Sequence, residues 1–178
     1  MSATMQSRLP LPDLALLDAQ QQVVYQSILS TRGNLDGPFL AWMHNPSLAS
    51  RAEKLGAFCR YQTSLELVES ELLILCVAAH FQCLGEQQIH EPIALSAGLS
   101  ADSVSRIRQG QEPALANERQ AQLYRLAAEL LASHRLDEST YRAAIARFGE
   151  RTVVEIVAVI GYYTFVAMTL NAFEMRMP

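Results

Sequence analysis

Five residues in one stretch of the chain have the types needed for proton or thiol chemistry: Glu71, His80, Cys83, Glu86 and His90. Cys83, Glu86 and His90 are spaced three and four apart, so a helix presents them as one stripe. Glu71 lies twelve residues before Cys83, about 3.3 turns at ~3.6 residues per turn, and faces a similar way if one helix runs through. A hinge at Gly85 instead folds Glu71 across from His90. A carboxylate against an imidazole is a competent proton relay: it orients the ring, supports the protonated form, and burial shifts both pKa values. A thiol beside such a pair, here Cys83, is a candidate nucleophile.

Each of these residues also has a plainer reading. Glu-x-x-x-His on a helix is a common surface pair, and perturbed groups also occur in structural networks. His80, a candidate substrate contact, reads equally as a core or rim histidine. Cys59 and Cys76 sit among apolar neighbours and look like small buried hydrophobes. Cys83, Glu86 and His90 offer three zinc ligands, but no second cluster or paired-cysteine motif accompanies them, so no metal is expected. The chain has no glycine-rich phosphate loop and no G-x-S-x-G elbow, leaving nucleotide and serine-hydrolase chemistry without a basis.

The elements that must position these groups are helical. The 178 residues suit one domain, 1–178, and half are apolar while 18 % are charged, against roughly a quarter in typical globular chains. That excludes a disordered chain. The net charge is 14 − 18 = −4, and no run of Lys or Arg exceeds two neighbours, so a nucleic-acid partner is not expected. Three cysteines, an odd count, suggest a reducing cytoplasm. The N-terminal stretch, broken by two prolines and Asp13, does not read as a signal peptide. Residues 156–173 carry no charge and reach the length threshold for a membrane span, but include Gly161, Tyr162, Tyr163, Thr164, Thr169 and Asn171. They are expected as a helix buried in the core or at a subunit interface, with no membrane crossing.

Strand patterns are nearly absent, and helix formers dominate. Helices are expected over 18–31, closed by Gly33; 39–43; 46–61, with Asn45 capping and Pro46 leading; and 64–81, with Ser64 as cap. Further helices are expected over 86–97 after a bend at Gly85, 101–108 capped by Ser100, 117–134, 137–148 stopped by Gly149, and 150–173. The expectation is an all-α, single-domain bundle of about eight helices joined by short connections.

The segment AHFQCLGEQQIHEPIALSAGLS resembles the core motif of the carboxymuconolactone decarboxylase family, whose relatives include the alkylhydroperoxidase D proteins. The matching positions are Glu71, Glu86-Gln87, His90 and Ala97-Gly98-Leu99. RGNLDGPFLAWMHNPSLASRAEKLGAFCRYQTSL resembles the family's upstream helices and FGERTVVEIVAVIGYYTFVAMTLNAF its last helix, so the likeness spans a core of 32–173. In the peroxidase branch the motif is a glutamate, CxxC, and a histidine four after the second cysteine. Aligned on His90, Cys83 takes the first cysteine position and Glu86 the second, so the resolving thiol is missing. Gln87 stands where a tryptophan is usual and Gly85 where an aromatic is common.

The resemblance implies an alkylhydroperoxidase-D-like fold and cofactor-free lyase chemistry on a small carboxylated lactone or organic acid. In that picture His90 is the general acid, Glu86 orients it and Glu71 is a second proton carrier. An acidic substrate needs a cation: Arg60 is the candidate, with a surface ion pair as its plainer reading. Two alternatives stay open, a peroxiredoxin-type thiol antioxidant using Cys83 and a non-catalytic oligomeric helical protein. The resemblance also implies a homo-oligomer, a trimer or hexamer, which would cover the apolar last helix.

Overall fold

The computed structural model of the protein describes residues 5–178. Among the described residues, eight helices follow a 3-10 turn at Leu14–Leu16: α1 (Ala19–Arg32), α2 (Phe39–Trp42), α3 (Pro46–Tyr61), α4 (Leu67–His80), α5 (Leu84–Ser96), α6 (Ala101–Arg108), α7 (Glu118–Ser133) and α8 (Glu138–Ala172). No strand forms among the described residues beyond an isolated bridge between Gln6 and Arg176. The all-α expectation holds.

Most boundaries follow from side chains that satisfy the orphan amides of a first turn. Asp18 accepts from the Gln21 amide while the Gln21 side chain caps back. Asn45, Ser100, Asn117 and Asp137 each accept from an amide two or three residues ahead. Gly33 ends α1 at φ 74°, a left-handed cap that L side chains resist. Gly149, at φ 78° and ψ 161°, breaks α8 into arms over 138–148 and 150–172, so the expected stop is present as a kink.

Two expectations are corrected by long-range contacts. Ser64 does not cap α4, which begins at Leu67. Its amide and hydroxyl go instead to Glu155 Oε2, at 2.7 and 2.6 Å, and the Glu66 amide is capped by Glu69. Gly85 is not a hinge either. It lies inside the first turn of α5, and the chain reverses three residues earlier, at Gln82 (φ 50°). A Cβ on Gly85 would stand 2.5 Å from the Met175 carbonyl oxygen, so the C-terminal tail is what requires glycine there.

The core is organised on α4, whose residues from Glu69 to Ala78 are all buried and which packs against α5, α6, α7 and α8. The three-residue connection 81–83 sets α5 alongside α4. The tail then crosses the start of α5: Met175 is buried and the Met177 amide donates to Gln88 Oε1 at 2.8 Å. An 18-residue window of α8 is long and apolar enough to cross a membrane, but 61 % of it is buried within the fold. The helix is not covered on every side, since Val154, Val157, Phe165 and Met168 are exposed on this chain.

Candidate active site

The α4–α5 pairing sets Glu71 against His90, nineteen residues apart. Glu71 Oε2 lies 2.7 Å from His90 Nδ1, with Glu71 0 % and His90 3 % exposed. With Glu71 ionised, Nδ1 carries the proton that the carboxylate accepts, which leaves Nε2 for the other side of the ring. There Glu86, one turn back on α5, places Oε2 3.5 Å from Nε2. That gap is longer than a hydrogen bond, and Glu86 Oε2 and Glu71 Oε1 are buried without partners. Three groups thus form a line, Glu71–His90–Glu86, closed on one face by the Tyr163 ring, edge-on to His90 at 5.3 Å.

The two acids are not equivalent. Glu86 and His90 line a small inner cavity of about 30 Å³ together with Tyr162, Tyr163, Arg32 and Arg60. Glu71 is not part of that wall. Burial raises the Glu86 pKa, opposed by His90, reinforced by Glu71 and opposed again by Arg60 and Arg32. Glu71 contacts the imidazole directly, and Glu86 faces the cavity.

Arg60 reaches this wall. It is half-buried near the end of α3, interacts with the Tyr163 side chain, and also lines an outer cavity of about 240 Å³ with Arg32, Asp36, Tyr61, Gln88 and Met177. His80 does not. It is exposed at the end of α4, edge-on to Phe81, and lines a separate pocket with Cys76 and Tyr124. Cys83 is fully buried at the cap of α5 and lines neither the inner nor the outer cavity. Burial pushes its thiol up to about 11, against the Glu86 and Gly85 amides that favour the thiolate. Burial likewise takes Cys59 to about 11 and Cys76 to about 12.

Sequence reasoning missed Arg32, Tyr162 and Tyr163. The tyrosines carried a signal, as paired hydroxyls in an otherwise apolar helix. Arg32 carried none, because a cation in the last turn before a glycine is what any helix end favours. Among the described residues no group of three or more His, Cys, Asp or Glu converges as a metal site.

No family model matches the chain, and no curated protein does. Solved structures do. The alkylhydroperoxidase AhpD core, an uncharacterized peroxidase-related protein from Ralstonia eutropha JMP134, superposes with a TM-score of 0.81 at 20 % identity, over 97 % of this chain and 92 % of that one. The fold is that of alkylhydroperoxidase D. An uncharacterized peroxidase-related protein from Silicibacter sp. TM1040 matches at a TM-score of 0.80 and 16 % identity, over 97 % and 92 %. The debrominase Bmp8, in a cysteine-to-alanine form complexed with 2,3,4-tribromopyrrole, matches at 0.76 and 16 %, over 98 % and 94 %. At such identities the alkylhydroperoxidase-D-like architecture is what is shared, and the chemistry rests on the side chains of this chain.

Proposed function

We propose that the chain is a cofactor-independent acid–base enzyme of the decarboxylase type, acting on a small carboxylated lactone or organic acid. The observation that carries this reading is the buried line Glu71–His90–Glu86, with its Glu86 end facing a cavity flanked by Arg32 and Arg60. In the reaction the bond between the substrate carboxylate and its carbon breaks. Carbon dioxide leaves, and the electron pair passes into the conjugated carbonyl as an enolate. The Glu86 carboxyl protonates the carbon, solvent delivers a proton to His90 Nε2, and the resulting imidazolium passes that proton to Glu86, so one proton is consumed per carbon dioxide released. Glu71 holds the ring in the tautomer this transfer needs and balances its positive charge. The 30 Å³ space beside Glu86 and His90 shares Arg32, Asp36, Arg60 and Ile89 with the adjoining 240 Å³ space, so a bound acid lies across both.

A thiol-peroxidase reading has two supports, the peroxidase-related neighbours and the amides of Gly85 and Glu86 at the Cys83 sulfur. Against it, burial outweighs those amides, and a carboxylate stands where the second thiol of the pair would act.

The test is carbon dioxide release from a panel of γ-lactone carboxylic acids. Turnover by the native protein is expected, with a loss of about 10²–10⁴-fold in His90→Gln and an unchanged helical circular dichroism signal. Retained turnover in His90→Gln, or none in the native protein, overturns the proposal.

A further inference from the structure

Arg32 holds two buried nitrogens, Nε and Nη2, that have no hydrogen-bond partner. These are the two donors on one edge of the guanidinium, with N–H vectors side by side, the arrangement that matches both oxygens of a carboxylate at once. The guanidinium packs against aromatic rings: its carbon lies 4.8 Å from the Phe39 ring centroid and 5.9 Å from that of Tyr61. Gly56 makes room for it, since a Cβ there would stand 2.7 Å from Nη2 and 2.1 Å from the Tyr162 hydroxyl. Arg32 lines both the outer and the inner cavity, as do Arg60 and Asp36.

We propose that Arg32 is the carboxylate anchor of the site, receiving a planar two-oxygen anion through its Nε–Nη2 edge while Arg60 supplies a second positive charge. Nη2 lies beside Gly56, close to the Tyr162 hydroxyl. Arg32 also lines the 240 Å³ space, and a change of rotamer in its flexible side chain brings the edge to an anion there. A neutral substrate such as a hydroperoxide offers neither the charge nor the paired acceptors, so this anchor selects a carboxylic acid. The proposal rests on the acid–base reading only for placing the bound acid beside Glu86 and His90.

The test is direct binding, read from the fluorescence of Trp42, the single tryptophan, whose ring lies 6.3 Å from that of Tyr162. The probes are a saturated γ-lactone carboxylate, its methyl ester and inorganic phosphate. The native protein is expected to bind the carboxylate at least tenfold more tightly than either comparison ligand. Arg32→Gln loses at least tenfold for the carboxylate only, and Arg32→Lys recovers part of the loss, because it restores charge without the paired donors. The comparison of acid, ester and phosphate on the native protein serves should Arg32→Gln not fold. Equal binding of acid and ester, phosphate binding as tight as the carboxylate, or full affinity in the folded Arg32 variants overturns the proposal. Binding of the saturated lactone acid is read without turnover, so a failure of the acid–base reading leaves this result separate.

Discussion

Glu86 Oε2 and His90 Nε2 stand 3.5 Å apart in a buried pair whose far side, His90 Nδ1, is already committed to Glu71. The pair is poised and not yet joined: a protonated Glu86 needs only a small closure to hydrogen-bond the ring, as catalytic contacts often do once substrate arrives.

That relationship makes stability depend on pH. Burial, net of the neighbouring charges, holds the Glu86 pKa above its ordinary 4.5. The folded chain keeps a proton that the unfolded chain releases between 4.5 and the raised value, so this group's contribution falls as pH rises through that window. Glu86→Gln, neutral at every pH, is expected to flatten the slope of unfolding free energy against pH measured by urea titration from pH 5 to 8. An identical slope in the two proteins shows that Glu86 is not held protonated.

Thiol chemistry at Cys83 is expected to be weak. A thiol at about 11 is ionised in about one molecule in ten thousand at pH 7, whereas a free cysteine near 8.5 is ionised in a few per cent. With hydrogen peroxide and dithiothreitol at pH 7, the native protein should consume peroxide no faster than Cys83→Ser, and iodoacetamide should label Cys83 at least tenfold more slowly than a cysteine peptide. Fast labelling with peroxide turnover would return the antioxidant reading to first place.

Two glycines on apolar helices should respond in opposite ways to alanine. At Gly85 the added Cβ meets the Met175 carbonyl oxygen at 2.5 Å and Leu170 Cδ1 at 3.2 Å, and the backbone has little room to yield. Gly85→Ala is expected to cost about 1–3 kcal/mol in thermal or denaturant unfolding. At Gly161, exposed in the second arm of α8, a Cβ meets nothing within 4 Å. Gly161→Ala is expected to be neutral or stabilising by up to ~1 kcal/mol. A stable Gly85→Ala protein would mean that the tail does not pack across α5.

Much of the helical pattern was legible along the chain because its signals act within a few residues. Asp18, Asn45, Ser100, Asn117 and Asp137 cap amides two or three positions ahead, and Gly33 supplies a left-handed end, so those boundaries follow from neighbours in the sequence. Glu71, Glu86 and His90 stood out together because ionisable groups are rare in so apolar a run. Position in space was another matter. Ser64 spends its donors on Glu155, ninety-one residues away, and Gly85 answers to a tail that returns from Met175. Arg32 reaches the cavity because α1 packs on α3 and α3 on α8, and the pairing of α4 with α5 decides that Glu86 and not Glu71 faces it. Capping and periodicity are properties of adjacent residues; which acid faces the cavity and which arginines line it depend on how the finished helices pack, a sum over contacts between residues far apart in the chain.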